Sequence, residues 1–324
     1  MAQIEFKNVS YIYGMGTPFE KTALDNLNIS IEKGIITGLI GHTGSGKSTL
    51  ALLVCGLLKP TRGSIYIDGE EMYKAESEIT LEQDGAAKKK RKIKGSKKYN
   101  REHADKMRFK AGIIFQYPEY QLFEETVYKD IAYGPTNMGL SEEEIDQRVR
   151  DAAEFAGILP DVFEKSPFEL SGGQKRRVAI AGIMAMDPPI LILDEPAAGL
   201  DPRGREEILG GLCEYQKITG KTMIMISHSM EDMAKYSDKI LVIKDAQPYL
   251  YGTVDEIFSQ AQMLREARLT IPQITKLFIE LKKRGINVDE NIYNLNNAKD
   301  EIASLLTKTA DNADNQTKGS QNFK

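Results

Sequence analysis

Residues Gly41, His42, Thr43, Gly44, Ser45, Gly46, Lys47, Ser48 and Thr49 form a run with the spacing G-x-x-x-x-G-K-[ST]. Glycines at those positions let a backbone curl until its N–H groups face one point, and a helix N-terminus beyond them adds partial positive charge. Such a loop suits phosphate oxygens: Lys47 reaches the β- and γ-phosphates, and the Ser48 hydroxyl holds Mg²⁺. The context fits, because the loop follows the continuous apolar run "GIITGLIG" and opens an apolar helical pattern over Lys47 to Leu58. The partner element is "PILILDEP", in which four apolar residues lead into Asp194 and Glu195. Alternation along a strand sends neighbouring side chains to opposite sides, so the two carboxylates can take separate tasks. Asp194 is expected to help hold Mg²⁺, and Glu195 to orient or deprotonate an attacking water. Alone, two acids at a strand end are solvated charge; behind a phosphate loop, the pair points to hydrolysis.

Three further positions gain meaning only from that setting. His228 closes the apolar run "TMIMISH", and Gln116 closes "AGIIFQ". At strand ends on the ligand side of an open sheet, His228 can sense a γ-phosphate and Gln116 can reach Mg²⁺ or the water. The stretch "ELSGGQKRRVAIAG" places Ser171, Gly172, Gly173 and Gln174 before an apolar-periodic segment. Ser171 is a natural N-cap there, and an ordinary loop-to-helix junction explains the turn taken by itself.

These residues need a scaffold, and the chain has the material for one. It holds 324 residues, 41% hydrophobic, with net charge −4, which gives no overall bias towards nucleic acid or an anionic membrane. The two cysteines, Cys55 and Cys213, form no CxxC pair, against a zinc site or a disulfide framework. "MAQIEFKNVSYIYG" alternates without the apolar centre of a signal peptide, and no apolar run is long enough to span a bilayer.

Near-alternation in Ile4, Phe6, Val9, Tyr11 and Tyr13, then in Leu27, Ile29 and Ile31, predicts half-buried strands in a small antiparallel layer. "GSIYIDG" reads as a further, edge-type strand. The short apolar runs "AGIIFQ", "PILILDEP", "TMIMISH" and "KILVIKD", separated by helical stretches, predict a mainly parallel α/β sheet. A basic insertion over about 82–106, densest from Lys88 to Lys98, lacks interleaved aromatics and reads as solvated surface rather than a nucleic-acid site. The last residues, 306–324, are polar and predicted to be disordered.

With "GHTGSGKS", "FQ", "LSGGQ", "LILDEP", "GLD" and "SH" in this order, the sequence resembles the nucleotide-binding subunits of ABC transporters over about Ile4 to Asp245. The resemblance implies an ABC-type P-loop NTPase fold: a mainly parallel core, an antiparallel β subdomain, a helical subdomain inserted at about 118–175, and ATP with Mg²⁺ as ligands. It implies domains at 1–250 and 251–305, the latter a helical extension. "LSGGQ" is then the signature, whose Ser171, Gly172, Gly173 and Gln174 meet ATP held by the phosphate loop of a second subunit. Tyr13 matches the aromatic that stacks on adenine, with Tyr11 as competitor. Asp201 in "GLDP" matches the loop coupling the two sites. Ala197 stands where threonine is commoner.

"FQYPEYQLFEETVYKDIAYGPTNMGLS" and the C-terminal "LREARLTIPQITKLFIELKKRGI" are similar to the ATPases of energy-coupling factor transporters, which import vitamins or metal ions. There two ATPases sit on the cytoplasmic face of the membrane beneath a transmembrane coupling protein, and a small membrane protein captures substrate. The insertion "GMGTPFEKTALDNLNISI" resembles the second of two paralogues; an identical partner stays open. The rival readings are the ATPase of a binding-protein-dependent importer and a soluble ABC protein acting on ribosomes or nucleic acid.

Overall fold

In the computed structural model, residues 1–74, 101–290 and 292–306 are described. The segment Lys88 to Lys98 and the tail beyond 306 lie outside them; of the expected insertion, residues 101–106 are described and belong to a helix.

The chain opens with strands β1 (Ala2–Tyr13), β2 (Lys21–Glu32) and β3 (Ile36–Ile40), then helix α1 (Lys47–Val54), strands β4 (Arg62–Ile67) and β5 (Glu70–Lys74), helix α2 (Arg101–Arg108) and strand β6 (Ala111–Ile114). Helices α3 (Val127–Asn137), α4 (Glu142–Phe155) and α5 (Gly172–Ala185) follow. Next come β7 (Ile190–Asp194), α6 (Pro202–Thr219), β8 (Thr222–Ile226), α7 (Met230–Tyr236), β9 (Lys239–Lys244) and β10 (Gln247–Thr253). Helices α8 (Val254–Phe258), α9 (Ala261–Glu266) and α10 (Gln273–Lys283) precede a last helical stretch over 295–306.

Two sheets result. An antiparallel sheet has the order β2-β1-β4-β5, and a second has the order β10-β9-β3-β8-β7-β6. Within the second, only the β9–β10 pair is antiparallel. The antiparallel layer and parallel core are as the alternation and the continuous apolar runs predicted. Two details differ. The strand in "GSIYIDG" is not an edge: β4 pairs with β1 on one side and β5 on the other. Helix α1 stops at Val54 rather than Leu58, because Gly56 takes a left-handed backbone (φ 68°) that ends helical hydrogen bonding. The core sheet also runs through the position 250/251 where a domain boundary was expected, since β10 extends to Thr253.

The parallel sheet separates two cores. Leu39, Ile192, Ile224 and Leu241 face the antiparallel sheet and α1, packing with Ile4, Leu24, Leu50 and Ile65. Ile40, Leu193, Met225 and Val242 face the helices, packing with Val178, Ile180, Leu212 and Met233. Burial of these side chains contributes roughly 1.5–3 kcal/mol each. The C-terminal residues close a third, smaller cluster of Phe278, Val288, Ile292 and Ala298.

Candidate nucleotide site

The buried strand β3 ends at Ile40, and the predicted phosphate loop turns off its carboxyl end into α1. The turn depends on glycine at two points. A Cβ on Gly46, whose φ is 111°, would lie 2.4 Å from the Ala23 carbonyl oxygen, and one on Gly41 would lie 2.4 Å from Ser45 Oγ. Lys47 is buried and folds back on the loop, its Nζ donating to the carbonyls of Gly41 at 2.7 Å and His42 at 3.2 Å. Burial lowers the Lys47 pKa, opposed by the charges of Asp194 and Glu195. An ammonium held this way, with no carboxylate in direct contact among the described residues, has unspent affinity for anionic oxygens.

Not every loop residue points at that space. Ser45 donates its backbone N–H to His42, and its hydroxyl is buried without a hydrogen-bond partner among the described residues. The His42 ring turns away, with Nδ1 3.0 Å from the Thr43 carbonyl oxygen and Nε2 3.7 Å from Asp245. A shallow cleft of about 150 Å³ beside the loop is lined by Tyr13, Lys21, Ala23, Gly44, Gly46, Lys47, Ser48 and Thr49. Tyr13 stands at its lip, half exposed, its hydroxyl 3.2 Å from Thr49 Oγ1. Tyr11 instead packs against the core and meets Tyr13 edge-on at 4.7 Å. Of the two tyrosines, Tyr13 is the one beside the loop. Lys21 was not foreseen; its charge offers a second cation there, and only the fold of the β1–β2 hairpin brings it close.

Asp194 ends β7, and its carboxylate interacts with the Ser48 hydroxyl. Glu195 does not continue the strand. Its backbone is left-handed (φ 53°), its N–H donates to Ile226 at 3.0 Å, and its Oε1 accepts from the backbone N–H of His228 at 2.8 Å. Strand alternation is therefore not what separates the two acids; a turn is. A left-handed glutamate costs on the order of 1–2 kcal/mol, and nothing in the sequence signals it. Burial raises the carboxyl pKa of both Asp194 and Glu195, with the charge of Lys47 opposing at each. His228 lies past the end of β8, its side chain 63% exposed and its Nε2 3.9 Å from Glu195 Oε1. Gln116, exposed, follows β6 at the same carboxyl edge.

Ser171 caps α5 in a reciprocal capping box with Gln174, so the plain reading of that turn also holds. Ser171 to Gln174 share no described hydrogen bond or cleft with the phosphate loop of the same chain. A Cβ on Gly172 or Gly173 would meet nothing within 4 Å, so no packing among the described residues calls for glycine at either. Asp201 caps α6, accepting from Gly204 at 2.7 Å. Arg176, on α5, is buried and grips Glu119 through two 2.9 Å bonds while donating to the Ala198 carbonyl.

A curled glycine loop, a buried lysine and two sheltered carboxylates at one edge of a parallel sheet make a P-loop nucleotide site, and the "LSGGQ" stretch that opens α5 narrows it to an ATPase of the ABC type. The family model described as ABC transporter matches residues 24–198. The chain belongs to the ABC transporter family and, within it, to the EcfA2 energy-coupling factor transporter ATP-binding proteins. It is 49% identical to the protein of that name from Clostridium acetobutylicum, over 94% of this chain and 98% of that one. Among solved structures it resembles cbiO1 of Clostridium perfringens, part of the ABC transporter complex cbiONQ, with a TM-score of 0.66, 36% identity, and 85% and 98% of the two chains covered. It also resembles the ATP-binding cassette MJ0796 in a dimeric post-hydrolysis state bound to ADP and Pi, with a TM-score of 0.60, 28% identity, and coverage of 78% and 98%.

Proposed function

We propose that this chain energises an importer of the energy-coupling factor type by closing on ATP with a second ATPase subunit and hydrolysing it. The observation that carries the reading is the buried Lys47 ammonium on the phosphate loop, held opposite Asp194 and Glu195. ATP lies with its adenine on Tyr13 and its phosphates over Gly41 to Thr49, where Lys47 exchanges loop carbonyls for phosphate oxygens. Among the described residues no cluster of three His, Cys, Asp or Glu could hold a metal unaided. The donor set suits Mg²⁺ all the same, which is commonly held by one or two carboxylates and the substrate's phosphates. Ser48, Asp194 and Gln116 would hold it, and when bound it supplies charge neutralisation at the β- and γ-phosphates.

The remaining steps belong to the protein. Glu195 takes a proton from water, or aligns it, while His228 faces the γ-phosphate. Water attacks phosphorus, the bond to the β-phosphate oxygen breaks, and ADP leaves with that electron pair. Ser171, Gly172, Gly173 and Gln174 of one subunit present a hydroxyl and a helix N-terminus to the γ-phosphate held by the other. Asp201 couples the two sites. The exposed aromatics Phe123 and Tyr133, which meet edge-on at 4.9 Å, and Tyr120 in the turn before them offer apolar surface to a transmembrane coupling protein, beside which a small membrane protein captures a vitamin or metal ion. None of the described helices is long and apolar enough to cross a membrane. The chain works at the membrane's cytoplasmic face through these partners.

Gentle detergent extraction through a tag on this chain, followed by mass spectrometry, tests the assignment. Recovery of an ABC ATPase, a membrane scaffold and a small substrate-capture protein supports it. Two conventional transport domains, or ribosomal proteins, overturn it.

A further inference from the structure

Arg176 touches no part of the phosphate loop, yet it joins three segments that each carry a residue placed at the nucleotide. Its Nε and Nη2 donate to the two carboxylate oxygens of Glu119 at 2.9 Å, and its Nη1 donates to the carbonyl of Ala198 at 2.9 Å. Glu119 sits in the single turn Pro118–Gln121, three residues beyond Gln116. Ala198 lies midway between Glu195 and Asp201, and Arg176 itself follows the Ser171 cap by five residues on α5. The arginine side chain is 3% exposed and that of Glu119 16%.

A second contact spans the same gap. Tyr117 takes a left-handed backbone (φ 57°), and its ring lies 5.9 Å from the Arg176 guanidinium. The edge of that ring approaches Gly199 so closely that a Cβ there would be 3.3 Å from Tyr117 Cε1. By contrast the neighbouring Arg177 is 36% exposed and pairs with Glu207 on the surface. A forked arginine–carboxylate pair fixes orientation as well as distance, which a single ammonium does not.

We propose that Arg176 is a positioning residue for hydrolysis, holding the Gln116 turn and the Glu195–Asp201 loop in register with the signature helix. A push received at Tyr120, which is 84% exposed beside Glu119, then reaches the signature and the catalytic loop together. The inference rests on the ATPase reading above.

The test uses the assembled transporter in vesicles, measuring kcat and KM for ATP together with melting temperature. Arg176→Lys is expected to lower kcat roughly 10- to 100-fold, as a small misplacement of reacting groups does, with KM within about twofold because Lys47 and Tyr13 are untouched. Arg176→Met combined with Glu119→Leu leaves no unpaired buried charge; it should recover the melting temperature without recovering turnover. Recovery of turnover along with stability would show a structural pair only and overturn the proposal. So would Arg176→Lys with kcat within twofold of the parent, or with KM raised and kcat intact. The parent complex and Glu195→Gln run beside them: a parent that fails to hydrolyse ATP, or an active Glu195→Gln, counts against the ATPase reading and not against Arg176.

Discussion

Glu195 accepts a 2.8 Å hydrogen bond from the backbone N–H of His228, while the His228 ring stands 3.9 Å from the same oxygen. The carboxylate is thus oriented by main chain, and the ring is free to serve the substrate. Glu195→Gln keeps an oxygen acceptor for that N–H and removes the proposed base. Turnover is expected to fall by about 10²–10⁴-fold with ATP affinity little changed, and a closed ATP-bound dimer should accumulate. Single-turnover hydrolysis and size-exclusion chromatography with ATP read both effects; unimpaired turnover would remove Glu195 from the mechanism.

Burial raises the Glu195 carboxyl pKa, so its proton is lost at higher pH than from an ordinary glutamate. In the proposed mechanism the ionised form is the base, so activity should rise with pH through that raised value. For stability the sign is opposite. Between the ordinary and the raised pKa the folded protein binds more protons than the unfolded one, so stability falls as pH rises through that window. Glu195→Gln should melt above the parent at neutral pH without nucleotide, and the gap should close as pH falls below the ordinary carboxylate range. A gap independent of pH would place the effect elsewhere.

Lys47→Ala removes the ammonium that would exchange the Gly41 and His42 carbonyls for phosphate oxygens. A charge-assisted hydrogen bond contributes about 1.5–3 kcal/mol, so the Kd for ATP should rise roughly 10- to 150-fold by titration calorimetry. ATP binding as tight as the parent's would contradict the phosphate-loop reading.

The space around Gly172 separates folding from assembly. Beyond its own helix turn, a Cβ there meets nothing within 4 Å among the described residues, so Gly172→Val should leave the melting temperature within about a degree or two and monomer ATP binding intact. Built into a Glu195→Gln background, it should abolish the ATP-dependent dimer if, as proposed, α5 offers this face to the partner's nucleotide. A dimer that still forms would move the interface away from α5.

The layers and the phosphate loop were legible because they rest on local signals: alternation for β1 and β2, continuous apolar runs for β3 and β7, glycine spacing for Gly41 to Gly46. What escaped depends on contacts across the fold. "GSIYIDG" reads the same whether its strand has one neighbour or two, and β5, which makes β4 internal, comes from the charged stretch Glu70–Lys74. The turn at Glu195 is imposed by the pull of the Ile226 carbonyl and the His228 N–H. Tyr13 and Tyr11, two residues apart on β1 with rings in contact, are told apart only by reach: Tyr13 meets Thr49 beside the loop, and Tyr11 packs on the core. In "QKRRV" nothing distinguishes the arginine that is buried on Glu119 from the one that lies at the surface.

The sheet that divides the two cores has a consequence for how the protein opens. β3 supplies Leu39 to one core and Ile40 to the other, and the phosphate loop leaves the strand at the next residue. Neither core can loosen without dragging the root of the loop with it. Bound ATP therefore acts as a rivet through both, and amide exchange across the antiparallel layer and the helical layer should slow together when nucleotide is added. The loop's place in the chain makes one ligand a stabiliser of both cores at once.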